Sequence, residues 1–470
     1  MSSAAFLNFG ASTSRACAAT TRTRTGAFGV LKTSRGAVAQ AKAERSFHCC
    51  PPQLKAPVKK AAQKTRVVRK SGTVAERPRG SGPRRANTAG THTKQAPFYE
   101  LSIVRSNLPV LDAQVYAEGN VGRAYAWNQQ ITTLSRETLL PHRIQQDIPR
   151  TILRSTTLQL QSALDQAAAS VDSPRHLLVG GPSTGKSHIL LQAVSYALGK
   201  GYIVAYIKSG INLIRGTSAF VYAPKLQVYA QSFLERRIAE SLRVQELLAE
   251  VPVIESPLRE QTKGAYFGSC KTLASFAASD KTLPVPRSAA FALLLQSLSQ
   301  QTKVPFLLAI DEAQALYMQS AYTDVDHKPL QAWELSLPRT LLSAMQQGPQ
   351  RGALMGAIGM SSTQWYPTPA LLRSINRPDL DPAAMGLKRD LPYNPYTHEE
   401  ELNEKHAKES RWSALDVPPL TDVEARGLWE VKRREGGYWS TPNDELFISK
   451  YLESAGNIGA FSKSLVRTSL

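Results

Sequence analysis

Between residues 153 and 360, short apolar runs alternate with stretches whose apolar positions recur at helical spacing. His176–Val179, Tyr202–Ile207, Val304–Ile310 and Ala353–Gly359 are near-continuous apolar runs. That is the pattern of strands covered on both faces, as in a parallel sheet. Leu153–Ala168 and Ser288–Leu298 read as helices. After residue 187, Ile189, Leu190, Ala193, Val194, Ala197 and Leu198 follow a helical period, with Gly199 as the expected C-cap. A long helix is expected over 224–249 through Leu226, Phe233, Leu234, Ile238, Leu242 and Leu248. Strand–helix–strand order of this kind predicts parallel pairing through right-handed crossovers.

The pattern weakens on either side. Residues 99–150 mix short apolar groups with turn residues, order is expected to begin near Phe98-Tyr99, and Val171–Pro174 is a turn. Residues 252–286 read as an irregular insertion with several Pro and Gly. From Leu391 the reading becomes helical. Thr397 with Glu400, and Thr421 with Glu424, have capping-box spacing. Leu446, Phe447, Tyr451 and Leu452 mark a last helix.

Charge changes this picture at one end. The 470-residue chain carries +20, yet residues 1–99 hold 19 Lys/Arg against Glu44 and Glu76, leaving about +3 for the rest. Residues 1–43 contain no acid and set their arginines and lysines among Ser, Thr and Ala. This is an organellar transit-peptide composition without a secretory apolar region, with Arg45-Ser46-Phe47 as a cleavage neighbourhood; the alternative is a disordered basic tail. Residues 50–98 stay basic and rich in Pro, Gly, Ala and Thr, too poor in apolar area to fold alone. They read either as an inert linker or as an extension ordering on RNA phosphates. No apolar run approaches the roughly 18 residues that span a bilayer. Of the four cysteines, Cys17, Cys49 and Cys50 lie in the leader region and Cys270 in the body, which excludes a disulfide framework.

The candidate chemistry follows the first apolar run. Gly180, Gly181, Pro182, Ser183, Thr184, Gly185, Lys186 and Ser187 match G-x-x-x-x-G-K-[ST], between a predicted strand and a predicted helix. Glycines let the backbone wrap closely around phosphates, and amides at the helix start attract the anion. Lys186 is expected to reach the β- and γ-phosphates and the Ser187 hydroxyl to sit on Mg²⁺. The bland alternative is a glycine-rich turn.

The run Val304–Ile310 ends in Asp311-Glu312, a Walker B arrangement. Asp311 would hold Mg²⁺, directly or through water. Glu312 is the candidate catalytic residue, able to polarise an attacking water. It is equally a carboxylate at a helix N-terminus. Ser361 or Ser362 is a candidate γ-phosphate sensor, or part of a serine turn. Arg339, Arg373 and Arg377 are the basic residues that could reach a nucleotide from flanking elements; the favoured reading of each is a solvated or RNA-facing arginine.

The P-loop, the stretch YIVAYIKSG with its trailing INLIRGTSAFVYAPKLQVYAQSFLERR, and VPFLLAIDEAQALY together resemble the death-associated-protein-three family. That is the P-loop family of the mitochondrial small ribosomal subunit. The resemblance runs from about 100 to 465 and is strongest over 176–225 and 303–318. It implies an α/β, AAA-like P-loop NTPase sheet flanked by helices, a C-terminal helical lid and a disordered basic N-terminus. It implies residence in the small subunit, contacts with its rRNA and neighbouring ribosomal proteins, and a bound purine nucleotide, GTP/GDP or ATP, with Mg²⁺. Carried over by residue, the phosphate site is Gly180, Gly185, Lys186 and Ser187, and the metal carboxylate is Asp311. Two departures stand out. Glu312 follows Asp311 where many members keep no acid, and no N-K-x-D string supports guanine, Asn403-Glu404-Lys405-His406 being the nearest.

The expected organisation is a transit peptide at 1–48, a basic extension at 49–98 and a segment packing on the core at 99–174. A nucleotide-binding domain at 175–390 and a helical domain at 391–470 follow. The expected function is a structural small-subunit component that binds purine nucleotide and supports mitochondrial translation. The alternative is a free AAA-type ATPase acting on nucleic acid or protein, which needs an arginine finger from a neighbour. A soluble switch GTPase is disfavoured by the missing base motif.

Overall fold

The structure is a computed structural model. It describes residues 108–128, 131, 150–169, 173–224, 226–243, 245–253, 273, 285–360, 364–381, 398–434 and 443–465. The leader, the basic extension, most of the 252–286 insertion, Ser361, Ser362 and Thr397 lie outside the described residues.

Five parallel strands form the centre. They are β3 (Arg175–Val179), β4 (Ile203–Ile207), β7 (Phe306–Ile310), β10 (Gly352–Ala357) and β11 (Ser413–Asp416), in the spatial order β11-β3-β10-β7-β4. The lower numbers β1 (Ala124–Ala126) and β2 (Arg150–Ile152) form a separate antiparallel pair. So do β5 (Val221–Ala223) with β6 (Val228–Ala230), and β8 (Gln319–Thr323) with β9 (Pro329–Gln331).

The central strands read as unbroken apolar runs because each face meets its own helical layer. Along β7, Phe306, Leu308 and Ile310 enter one core while Leu307 and Ala309 enter the other. The first core is closed by α4 (Ser232–Arg243), α5 (Val285–Gln300) and α6 (Ser336–Gln347), which contribute residues such as Leu242, Leu294 and Leu341. The second is closed by α1 (Ser155–Ala169) and α2 (Lys186–Gly199), through Leu160, Leu164, Ile189, Leu190, Val194 and Ala197.

Three local expectations are corrected. Residues 224–249 are not one helix: β6 pairs with β5 first, and the α-helical part is Ser232–Arg243. Gly199 is still helical, and the left-handed residue beyond the end is Gly201 (φ 78). Residues 391–470 are not wholly helical, because β11 joins the edge of the sheet beside β3 with Ala414 opposite Leu177 and Asp416 opposite Val179. The sheet therefore takes its last strand from beyond residue 390.

The C-terminal helices are α8 (His398–Glu409), following the short α7 (Pro369–Ser374), then α9 (Asp422–Arg434), α10 (Asp444–Ser454) and α11 (Ile458–Leu465); α3 (Ile211–Ile214) is a single turn after β4. Thr421 and Glu424 do form a reciprocal capping box at the start of α9, at 3.3 and 3.2 Å. The expected last helix, α10, is followed by one more, α11. Ile152, Leu420, Ala425, Phe447, Phe461 and Leu465 make a third, small core that joins the β1–β2 pair to these helices.

Candidate functional site

The loop 180–187 leaves the C-terminal end of β3 and runs into α2. Asp311 leaves the same end of β7, with β10 lying between the two strands. Register puts Leu177 level with Ile310, because Gly356 of β10 pairs with both, so Asp311 stands two residues short of the level at which the loop begins. Parallel sheets place ligand crevices at this end.

The loop takes backbone conformations that suit its glycines, with φ 145 at Gly180 and φ 92 at Gly185; Ser183 also lies left-handed, at φ 57. Lys186 is folded into it and is 6% exposed. Its ammonium donates to the carbonyls of Gly180 at 2.9 Å and Gly181 at 2.5 Å, with Thr184 Oγ1 at 3.4 Å. Burial brings its pKa down to about 8, opposed by the nearby Asp311 charge.

Asp311 is 5% exposed. Burial pushes its carboxyl up to about 7, and the Glu312 charge adds to this; hydrogen bonds from Ser187 and the Glu312 amide, and the Lys186 charge, pull the other way. Its backbone is pinned on both sides, with Asp311 N–H donating to Ile207 O at 2.9 Å and Gly210 N–H to Asp311 O at 2.8 Å. Lys186 and Asp311, over a hundred residues apart in the chain, are thus both buried at this end of the sheet, with the half-buried Ser187 next to Lys186.

Glu312 stands at φ 56 as the residue before a 3₁₀ turn, Ala313–Tyr317, and makes no side-chain cap to it. Its carboxylate instead accepts a hydrogen bond from the Ser209 hydroxyl, just past β4. Its amide donates to Asp311 Oδ1 at 3.0 Å.

The three candidate arginines have other partners. Arg339 donates to Gln227 O at 3.2 Å, and Arg373 pairs with Glu404 at 3.0 Å. Arg377 pairs with Asp379 at 2.9 Å and also with Asp416. Asp416 lies opposite Val179, so Arg377 sits at the strand edge next to the loop's start.

Three residues near the site escape a sequence reading. Ser209 is one. Arg154, 2% exposed, donates to Thr184 O at 2.9 Å and to Pro418 O at 2.8 Å, and pairs with Glu424 at 3.2 Å. Asn457 donates through Nδ2 to Pro182 O at 2.7 Å. Arg154 follows the apolar pair Ile152-Leu153, which is the one sequence signal for it; Ser209 and Asn457 carry none.

Chemically, an amide-lined loop, an ammonium and a hydroxyl–carboxylate pair suit a phosphate with a divalent cation. Among the described residues no group of three His, Cys, Asp or Glu side chains is placed to hold a metal unaided. A cation here would take Ser187 and Asp311 and complete its shell from the ligand's oxygens and water.

Fold and site together define an α/β protein with a central parallel sheet flanked by helices. The family model for mitochondrial ribosomal death-associated protein 3 matches residues 151–464, and the chain belongs to that family. Membership places it in the mitochondrion, in the small ribosomal subunit. No curated protein matches the chain. Among solved structures it is similar to the Aeropyrum pernix Orc1 protein in complex with DNA, at 13% identity and a TM-score of 0.30. That match covers 71% of this chain and spans 62% of that protein's length. No described helix is long and apolar enough to cross a membrane.

Proposed function

We propose that the protein supports mitochondrial translation as a structural small-subunit component whose AAA-like P-loop domain holds a purine nucleotide with Mg²⁺. Gly180–Gly185 would wrap the phosphates, Lys186 would meet the terminal ones, and Ser187 with Asp311 would hold the metal. The C-terminal helices serve as the lid of this domain. The observation that carries the reading is the buried Lys186, whose ammonium closes on the Gly180 and Gly181 carbonyls, with the buried Asp311 nearby. A solvent-facing glycine turn has no reason to bury an ammonium and a carboxylate near one another, since burying charge is costly.

Turnover is not needed for this role. A nucleotide that binds only the folded form at a hundred times its Kd adds about 2.7 kcal/mol of stability. Glu312 supports the second reading, an ATPase acting on nucleic acid or protein, because a carboxylate beside the metal ligand is able to activate water. The three candidate fingers do not favour that reading: Arg339, Arg373 and Arg377 are each bonded to the chain's own groups.

The test is sedimentation of mitochondrial extracts through a high-salt gradient. The protein is expected in the small-subunit fraction with stoichiometric nucleotide. Recovery only as a free oligomer with rapid ATP turnover would overturn the structural reading in favour of the second.

A further inference from the structure

Five successive carbonyls of the glycine loop, from Gly180 to Thr184, are all engaged. Gly180 and Gly181 accept from the loop's own Lys186. The next three accept from distant parts of the chain. Pro182 O accepts from Asn457 Nδ2 at 2.7 Å, Ser183 O from Gly459 N–H at 3.0 Å, and Thr184 O from Arg154 Nη1 at 2.9 Å. In a planar trans peptide the N–H points opposite to the C=O. Holding the carbonyls of 182, 183 and 184 on the outside therefore turns the amides of Ser183, Thr184 and Gly185 toward the inside, where an anion would be bound.

The outer clamp is close-fitting. A Cβ on Gly459 would lie 2.5 Å from Ser183 Cβ, so only glycine lets the start of α11 approach the loop. Ile458 rests on the other side, with its Cγ2 3.3 Å from where a Gly185 Cβ would be. Arg154 joins the clamp to its surroundings: Nη2 donates to Pro418 O, and Nε pairs with Glu424 at the start of α9. Glu424 in turn accepts from Ser155 N–H at 3.0 Å.

We infer that Arg154, Asn457 and Gly459 are positioning groups for the loop, and that anion affinity at the loop is energetically coupled to the docking of α11 on its outer side. The inference rests on the phosphate-site reading above. A loop whose carbonyls are released loses the alignment of its amides before any ligand arrives, so binding must restore it. Coupling of this kind is reciprocal. An anion in the loop strengthens the hold on Asn457 and Gly459 as much as they strengthen the hold on the anion.

The test uses the full chain with magnesium–GTP and magnesium–ATP as probes, by titration calorimetry. The Asn457 side chain makes two hydrogen bonds, Nδ2 donating to Pro182 O and Oδ1 accepting from Ala460 N–H at 3.0 Å as the cap of α11. Asn457→Ser keeps a capping oxygen but is too short to reach Pro182, so it is expected to keep its nucleotide-free melting temperature. It is expected to bind the preferred probe about three- to tenfold more weakly, the worth of one hydrogen bond. Arg154→Lys keeps a charge for Glu424 but not the fork that reaches Thr184 and Pro418, and it should weaken binding as well. A second readout is amide hydrogen exchange at Gly459, which nucleotide is expected to slow in the wild type. If the wild type binds but Asn457→Ser binds equally and Gly459 exchange is unchanged, the coupling is refuted. If the wild type binds neither probe, the phosphate-site reading itself falls.

Discussion

Arg154 and Glu424 stand 270 residues apart in sequence and meet at 3.2 Å, their side chains 3% and 0% exposed. Each is further bonded: the guanidinium to Thr184 O and Pro418 O, the carboxylate to the amides of Ser155 and Thr421. This one pair ties the helix before the glycine loop, the loop itself and the C-terminal helices into one unit. Removing one partner leaves the other charged and buried. Arg154→Ala is expected to cost about 3–5 kcal/mol in chemical denaturation. The double variant Arg154→Met with Glu424→Gln should cost clearly less than the two single changes summed. Simple additivity in that cycle would show that the pair is not coupled.

Lys186→Ala addresses the phosphate site directly. Without nucleotide the variant loses two hydrogen bonds to loop carbonyls but also sheds a buried charge, so its melting temperature should shift little. With nucleotide at a hundred times the wild-type Kd, the wild type should gain about 2.7 kcal/mol. The variant should gain almost none of this. Equal melting of the wild type with and without nucleotide contradicts the site.

The Asp311 carboxyl, pushed up to about 7 from the ordinary 3.8, predicts a pH dependence with a definite sign. Between these values the folded state keeps the proton and the unfolded state releases it. The stability contributed by this group is therefore present below about pH 4 and is lost as pH rises toward 7. Asp311→Asn should flatten that part of the stability profile. Mg²⁺ needs the ionised carboxylate, so the magnesium-dependent part of nucleotide affinity should fall up to about tenfold per unit below pH 7. Calorimetry from pH 5.5 to 8, with and without magnesium, measures both slopes; a magnesium effect independent of pH rules out Asp311 as the ligand.

Glu312 and Ser209 bear on hydrolysis. Glu312→Gln keeps size and hydrogen bonding, and nucleotide affinity should stay within about twofold. Any hydrolysis by the wild type should drop by about a hundredfold or more if this carboxylate activates water. Ser209→Ala frees the Glu312 carboxylate from its hydroxyl partner and should change turnover without changing affinity. Unaltered phosphate release in Glu312→Gln would reduce Glu312 to a turn residue at φ 56.

Much of the candidate site is legible before folding, for a physical reason. Four central strands, β3, β4, β7 and β10, show as continuous apolar runs because helices cover both sides of each. The glycine loop and Asp311-Glu312 then follow two of those runs at a spacing that local chemistry demands. What stays hidden is whatever depends on a partner. Strand β11 is a half-buried edge strand whose Ser413 and Asp416 are exposed, so it displays no apolar run. Leu226 and Leu234 fit a helical period across β6, yet its residues pair with β5 instead.

By itself the sequence determined the sheet's central strands, the loop that follows the first of them and the carboxylate that follows another. It also carried the motifs that resemble the mitochondrial ribosomal family. Apolar periodicity and turn chemistry are short-range properties, written within ten or so residues. Only the tertiary structure decided which groups hold the loop from behind. Arg154, Asn457 and Gly459 come from opposite ends of the described chain, and each is bonded to a backbone carbonyl. A carbonyl is the same in every residue, so such a bond leaves no mark on the identity of its acceptor and is visible only once the chain has folded.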